Sequence, residues 1–193
     1  HTRLPLVSVG SEMCIRDRSD ATALSSLGIS NNPSVTSLDL TNTAFLNQEI
    51  KDFDATMSNL LDCRDCKNLE EIKINLNNKK VTSQIILANL PKLKAINLQS
   101  IEAIGDLALC QLPNCEIIYP INLIAYYRSS NNKLYDFESN PRRKVYFTVS
   151  QDVLDKESTK NFVQTYSAHL ENDNSTYSEY NPCLLYTSDA ADD

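Results

Sequence analysis

A nine-residue segment occurs twice in this chain, 22 residues apart: Leu90–Leu98 reads LPKLKAINL and Leu112–Pro120 reads LPNCEIIYP. Similarity at a fixed period of this length is typical of solenoids, in which each repeat buries its apolar face only by stacking on a neighbour. The period therefore constrains the fold and the kind of function together, because stacked repeats form an extended surface that can hold another molecule.

The repeat contains apolar residues at positions i, i+3 and i+5. Side chains at i+3 and i+5 of a short strand point to the same side, so we expect them to fill a core while the residues between them face solvent. The last four sets are spaced by 34, 24 and 22 residues, but the first two by only 11, which predicts one turn with two extended segments or a frayed edge. The sets are Leu24, Leu27, Ile29; Val35, Leu38, Leu40; Leu69, Ile72, Ile74; Leu93, Ile96, Leu98; and a degraded copy, Cys115, Ile118, Pro120.

The longest gap between repeats contains a helical pattern over about residues 47–61. Apolar residues three to four positions apart form one stripe along it, which predicts an amphipathic helix. The stripe consists of Phe45, Leu46, Ile50, Phe53, Met57, Leu60 and Leu61.

Both ends of the chain resemble a translated sequencing adapter. Glu12–Asp17 is encoded by GAG ATG TGT ATA AGA GAC, and the complementary strand encodes Cys183–Ser188. The two ends are thus one DNA element in opposite orientations, similar to the transposase adapter of sequencing libraries. We therefore treat 1–18 and 183–193 as adapter-derived, and expect 19–182 to be a fragment of a longer protein.

The segment between the two Leu-Pro copies carries Ile101, Ile104-Gly105-Asp106 and Ala108-Leu109. It resembles the leucine-rich repeat of BspA-like surface proteins, in which a short strand alternates with an Ile-Gly-x-x-Ala-aromatic turn on the opposite flank. The resemblance covers about residues 35–120, and Leu109 stands where the aromatic is usual. It implies an α/β fold, a leucine-rich-repeat solenoid with short parallel strands over 19–120, and a location at the cell surface or in the secreted fraction.

After Pro120 the pattern changes. Residues 126–132 and 138–141 are typical of loops, and alternation over 144–150 predicts a strand. A helix is expected within 152–171, with Phe162, Val163, Tyr166 and Leu170 on one face. This strand-helix element over 121–171 could cap the solenoid, and the polar residues 172–182 predict a disordered tail.

Charge and composition argue against several classes of partner. Without the adapter segments the net charge is −5, and the only basic cluster is Arg142–Lys144, which we expect at a solvated loop end. A mildly acidic chain without a basic block disfavours nucleic acid and anionic membranes. No apolar run approaches the ~20 residues of a membrane span.

Four cysteines outside the adapter segments, Cys63, Cys66, Cys110 and Cys115, raise the alternative of a zinc site. In a solenoid the two cysteine pairs would be about two turns apart. The spacing of neighbouring strands then puts roughly 10 Å between the pairs, whereas Zn–S bonds are ~2.3 Å long. We therefore expect no metal. A disulfide between Cys63 and Cys66 is an alternative if the protein is secreted.

Catalytic and cofactor motifs are missing from the sequence. It contains no G-x-G-x-x-G, P-loop or H-E-x-x-H, and His169 is the only histidine outside the adapter segments. We expect a non-catalytic chain without a cofactor.

The outward positions of the short strands are the candidate binding residues. Tyr119 stands out among them because aromatic side chains are enriched in binding hot spots. These positions predict a protein-binding or adhesion module; the alternatives are a structural or capping segment of a longer repeat protein and an intracellular substrate-recognition subunit. The predicted binding residues are Asp39, Glu71, Lys73, Asn75, Asn97, Gln99 and Tyr119, on a face that also includes Ser37, Thr41, Ala95 and Ile117.

Overall fold

The structure, a computed structural model, describes residues 26–43, 60–77, 80–128, 131, 133–172 and 183–184. The described part is a mostly parallel arrangement of short strands with few helices, followed by a strand-helix element. The elements are β1 (Ser26–Ser30), β2 (Ser37–Asp39), β3 (Leu60–Arg64), β4 (Glu71–Lys73), β5 (Lys80–Ala88), β6 (Ala95–Asn97), β7 (Ile101–Cys110), β8 (Glu116–Ile118), β9 (Ala125–Arg128), β10 (Lys133–Asp136), β11 (Val145–Ser150), α1 (Gln151–Leu154), α2 (Glu157–Tyr166), a 3₁₀ turn (Ser167–His169), β12 (Leu170–Glu171) and β13 (Cys183–Leu184).

One sheet contains β1, β3, β5, β7 and β11 side by side in parallel. Because side chains alternate along a strand, residues in register form rows on its inner face. There are two such rows, and the side chains of both are almost completely buried in one hydrophobic core. The rows are Leu27, Leu61, Ile85, Leu107, Phe147 and Ile29, Cys63, Leu87, Leu109, Val149.

The three-residue strands form the other side of this core. β2 pairs with β4 and β6 with β8, both in parallel, so that Leu38 lies beside Ile72 and Ile96 beside Ile117. The pairs adjoin, because the Lys94 N–H donates to the Glu70 carbonyl at 3.1 Å. All four of these aliphatic side chains pack into the same core as the long sheet.

Each of the first four strands of the long sheet is followed by a residue whose backbone is in the left-handed conformation. The four positions have φ of 50–56° and are spaced by 34, 24 and 22 residues, the spacings of the apolar sets. Asn and Asp adopt this conformation more readily than other non-glycine residues, which fits three of the four. The turns also stack, since the N–H of each of the first three donates to a carbonyl on the next strand. The residues are Asn31, Asp65, Asn89 and Gln111.

In the first three of these turns, chain length varies on only one side. β2, β4 and β6 each begin six residues after the left-handed residue, at Ser37, Glu71 and Ala95. Between a short strand and the next long strand, by contrast, 20, 6 and 3 residues intervene before β3, β5 and β7. The turn and the short strand therefore form a constant unit, and the connection after it is variable.

The last short strand departs from the predicted register. One residue fewer separates Gln111 from β8, so Ile96 pairs with Ile117 rather than Ile118. A one-residue shift moves every side chain to the other face of a strand. The predicted outward positions of Ile117 and Tyr119 are therefore wrong: both are buried, and Ile118 is the exposed residue.

Gly105 lies where one edge of β7 is shared by two strands. β9 pairs with Ala103 and Ile104, and β11 pairs from Asp106 onward. A Cβ at Gly105 would lie 2.4 Å from the carbonyl oxygen of Tyr127 and 2.7 Å from that of Ser83. The Ile-Gly pair thus permits two strands to approach closely, and the predicted turn is instead part of a ten-residue strand.

Other predictions meet mixed outcomes. Of the two interpretations of the first two apolar sets, the described residues agree with one turn that contains two extended segments. Leu27 and Ile29 lie in β1 and Leu38 lies in β2, whereas Leu24 lies outside the described residues. The predicted helix over 47–61 lies outside the described residues except at Leu60 and Leu61, which are in β3 and not helical. The predicted loop over 126–132 is wrong at its start, because Tyr126–Arg128 belong to β9, which forms an antiparallel hairpin with β10.

The C-terminal strand and helix are confirmed by β11 and α2. Phe162 of α2 is buried against Phe147 of β11, with ring centroids 5.4 Å apart. Leu170 lies in β12 rather than on the helix. β13, within the segment assigned to adapter, pairs with the end of β11; the tail 173–182 is outside the described residues.

Candidate binding surface

The outward side chains of β2, β4, β6 and β8 form one exposed surface, here called the strand face. Register places Asp39 beside Lys73 and Ser37 beside Glu71 in one pair of strands, and Asn97 beside Ile118 in the other. Asp39, Glu71 and Lys73 are exposed, whereas Asn75, Asn97 and Gln99 are half-buried. Six of the seven predicted binding residues thus lie on or at the end of these strands.

Charges on and beside the strand face alternate in sign. Lys73 Nζ lies 3.4 Å from Glu71 Oε2, and Lys94 Nζ lies 2.6 Å from Glu70 Oε2. The Lys94 bond lowers the pKa of Glu70, and the Glu70 bond raises the pKa of Lys94. These pairs are solvent-exposed and contribute little to stability, so the groups can exchange partners when a ligand arrives.

Three predicted binding residues also hold turns at the ends of the short strands. A side-chain oxygen of each accepts the N–H of the residue two positions later, an Asx turn. The bonds are Thr41 N–H to Asp39 at 3.0 Å, Asn77 N–H to Asn75 at 2.8 Å, and Gln99 N–H to Asn97 at 3.0 Å. Asp39 also accepts from the Thr41 hydroxyl at 2.6 Å, and these bonds together with nearby Lys73 lower its pKa.

Tyr119, the seventh predicted binding residue, is only 8 % exposed and points into the core. Its ring stacks on Phe162 with centroids 4.4 Å apart and meets the edge of Phe147 at 6.2 Å. Its hydroxyl lies 2.9 Å from Thr159 Oγ1. Burial raises the pKa of this phenol well above its usual range. Tyr119 therefore joins the last turn to α2 and is not part of the exposed surface.

A groove with a volume of about 730 Å³ runs between β8 and α2 at the end of the strand face. Ile118 and Ile121, which are 37 % and 73 % exposed, supply apolar surface on the strand side. Glu116, Glu157 and Asn161 line it with polar groups. The sequence prediction missed this groove, although the aliphatic run after Cys115 was a signal for it.

The outer edge of β8 is directed toward this groove. Glu116 N–H donates to Lys94 and the carbonyl of Ile118 accepts from Leu98, so both residues bond inward to β6. Main-chain groups alternate along a strand, and those of Ile117 therefore point to the groove side. Tyr166 fixes the following segment, since its hydroxyl donates to the Ile121 carbonyl at 2.7 Å.

The cysteines are buried and do not assemble a metal site in the described residues. Cys63, Cys66 and Cys115 are free thiols, and Cys110 is disulfide-bonded. Burial raises the pKa of Cys63 and Cys66 and that of Cys115 to about 11, which disfavours the thiolate that metals require. No group of three or more His, Cys, Asp or Glu side chains in the described ranges could hold an ion.

No helix in the part of the chain that the structure describes is long and apolar enough to span a bilayer. Comparisons of the chain with protein-family models, with curated proteins and with solved structures found no match.

Proposed function

We propose that the chain is a leucine-rich-repeat solenoid fragment that acts as a non-catalytic protein-binding module through its strand face. The observation that carries this proposal is the fourfold recurrence of long strand, left-handed turn and short strand, with parallel pairing on both sides of one core. Such stacking leaves the short strands side by side on one exposed surface, the kind of surface that repeat proteins use to bind partners.

The chemistry of the strand face supports a protein partner. Lys73 and Glu71 present both signs of charge in solvent, which favours specificity and orientation more than affinity. Ile118 and Ile121 present apolar surface beside the groove at the other end. A polar region beside a small apolar anchor is the usual organisation of a protein interface.

A structural spacer is the second candidate function. The Asx turns favour it, because they give Asp39, Asn75 and Asn97 a role in folding that needs no ligand. In this alternative the binding site lies in another part of a longer protein. The intracellular substrate-recognition subunit and a location at the cell surface are also proposals, which rest on the resemblance alone.

Titration of a partner against variants of the full chain tests the proposal. Partners captured on the immobilised chain are identified by mass spectrometry, and their affinities are measured for the chain and for Lys73→Glu and Ile118→Asp. Lys160→Glu is the matched control, because Lys160 is exposed on α2 and does not line the groove. We expect Ile118→Asp to weaken binding about tenfold or more, equivalent to ~1.4 kcal/mol, and the control to leave it unchanged.

Two outcomes count against the strand face. Equal affinity of all three variants for every partner would place binding elsewhere and favour the spacer. Loss of binding in the Lys160→Glu control together with the others would point to a general effect of charge rather than to a defined surface.

A further inference from the structure

The outer edge of β8 carries one pair of main-chain groups that no described residue hydrogen-bonds. Glu116 and Ile118 bond to β6 in the parallel ladder, which directs the N–H and carbonyl of Ile117 away from β6. Neither group has a partner among the described residues, although Ile117 is only 2 % exposed. Because buried main-chain groups are almost always paired, this edge favours an added strand that supplies the partners.

The groove beside this edge has room for an extended segment. Its volume of about 730 Å³ lies in the range of roughly 300–1,000 Å³ that is usual for ligand-binding clefts. β8 lines one side and α2 the other, where Glu157, Asn161 and Thr165 are exposed polar residues. A segment lying extended between them would continue the β6–β8 sheet by one strand.

Two carboxylates line this groove without a cation at ion-pair distance. Glu116 and Glu157 are exposed, and among the described residues neither forms a salt bridge. Lys156 also lines the groove, but its Nζ donates to the Pro113 carbonyl at 3.1 Å. Lys160, one turn beyond Glu157, is not a lining residue. Two acids and one base leave the groove with a negative balance, which favours a cationic side chain on the partner.

The alternation of side chains along β8 sets the spacing that a partner strand must have. Glu116 and Ile118 are exposed on either side of the buried Ile117. Directly opposite residues on paired strands share a face, so the partner would place a cation beside Glu116 and an aliphatic side chain beside Ile118, two residues apart. Ile121, which is 73 % exposed, extends the apolar part of this contact.

We propose that the groove between β8 and α2 binds an extended segment of a partner protein in which a lysine or arginine lies two residues from a valine, isoleucine or leucine. The segment pairs its main chain with Ile117 and places its cation beside Glu116 and its aliphatic residue beside Ile118. In strand addition of this kind, main-chain bonds give affinity and alternate side chains give specificity. The inference rests on the proposed function, because Ile118 belongs to both surfaces, and it adds the chemistry of the partner.

Titration of the ¹⁵N-labelled full chain with the peptide Thr-Val-Thr-Lys-Thr-Val-Thr tests this site by NMR. A valine lies two residues from the lysine on both sides, so the peptide can pair in either direction. We expect a Kd below about 1 mM, and weaker binding at 200 mM than at 50 mM salt because salt screens exposed charges. The Ile117 amide should exchange more slowly in the complex, whereas the Glu116 amide, already bonded to Lys94, should not change.

Altered peptides separate the three contacts. Thr-Val-Lys-Thr-Thr-Val-Thr puts the lysine and the valines on opposite faces of a strand, and Thr-Val-Thr-Glu-Thr-Val-Thr reverses the charge; each should raise the Kd about fivefold or more. N-methylation of the second valine blocks the N–H needed for parallel pairing, and N-methylation of the threonine before the lysine blocks that for antiparallel pairing. One of these two changes should raise the Kd about tenfold.

Variants of the chain locate the binding. Ile118→Asp should raise the Kd of the lysine peptide about tenfold and Glu116→Lys about fivefold. Glu138→Lys is the matched control, because Glu138 is exposed and does not line the groove. Thermal melts separate loss of binding from loss of fold, and Glu116→Lys, a change at an exposed side chain, decides the matter if Ile118→Asp unfolds.

Four results would overturn the inference: no binding at about 1 mM peptide, equal Kd for the three unmethylated peptides, no effect of either N-methyl group, or an unchanged Kd in Glu116→Lys. Lys73→Glu distinguishes this inference from the strand-face proposal, since Lys73 lies in β4 and does not line the groove. Loss of partner binding in Lys73→Glu without peptide binding would refute the groove alone. Peptide binding in a chain whose captured partners are unaffected by Lys73→Glu would refute the wider strand face alone.

Discussion

The hydroxyl of Tyr119 lies 2.9 Å from that of Thr159, 40 residues later in the chain, and this buried pair fastens the last short strand to α2. Phe162 stacks on the same tyrosine ring, so the helix covers the core where the strands end. The hydroxyl pair is the polar part of this contact and the stacked rings are its apolar part, so substitutions can remove one and leave the other.

We predict that Tyr119→Phe and Thr159→Val each lower the free energy of unfolding by about 1 kcal/mol or somewhat more, because each leaves one buried hydroxyl without its partner. The double variant should lose less than the sum of the two single variants, since neither polar atom remains. Urea denaturation of the four proteins gives the coupling free energy. Additive losses would mean that the two hydroxyls do not interact.

Gly105 is expected to be intolerant of a side chain. Gly105→Ala should destabilise the chain by roughly 2 kcal/mol or more, because the new Cβ would meet two main-chain carbonyl oxygens that cannot rotate away. Gly28→Ala is the matched control: nothing lies within 4 Å of its Cβ position, and we expect a change near zero or a small gain. Thermal denaturation measures both, and equal effects would contradict the close approach of β5 and β9 to β7.

Gln111 is the least suitable residue in the four left-handed turns. At φ 54° we expect Gln111→Asn to raise the free energy of unfolding by about 0.5–1 kcal/mol, because Asn tolerates this conformation better. The main-chain N–H bond to Ser150 Oγ at 2.6 Å does not depend on the side chain and should persist. Gln111→Ala, which keeps the same backbone strain, should show no comparable gain in chemical denaturation.

Alkaline pH should destabilise the fold through its buried thiols. Burial raises the pKa of Cys115 from 9.0 to about 11, so the folded state holds this proton more tightly than the unfolded state. The protonated Cys115 thiol therefore makes its full contribution to the free energy of unfolding below pH 9, and this contribution is lost as pH rises from 9 to about 11. Cys63 and Cys66 shift in the same direction.

Urea denaturation from pH 7 to 11 checks this, with Cys115→Ala expected to flatten the decline after its own constant loss. Iodoacetamide at pH 8 should modify these three thiols only when denaturant is added, because the thiolate is the reactive form. Rapid modification of Cys115 in the folded chain would contradict its burial.

Apolar spacing predicted the inner residues of the first three turns because each keeps the same offset from its left-handed residue. Leu38, Ile72 and Ile96 are all buried as expected. The last turn could not be predicted in this way, since one missing residue before β8 exchanges its two faces and buries Tyr119. Sequence similarity over Leu112–Cys115 conceals that deletion.

Strand β7 was misjudged for a different reason. Nine of its ten residues are buried, so both faces are covered and the apolar-polar alternation that marks a half-exposed strand is absent. The β9–β10 hairpin was missed as well, because its strands lie among polar residues typical of loops. Tyr126 and Tyr135 come together only through the antiparallel pairing of the two strands.

The constant unit of turn and short strand, followed by a connection of 20, 6 or 3 residues, tells a protein engineer where foreign sequence can enter. A peptide grafted into the connection between Asp39 and Leu60 would lengthen a segment that already differs most from its counterparts, and loop closure grows less favourable only slowly with length. The same peptide placed between Asn89 and Ala95 would break the spacing that sets which side chains face inward. Natural insertions in related chains should therefore accumulate after the short strands, and swaps of whole repeats should be made at the same joints.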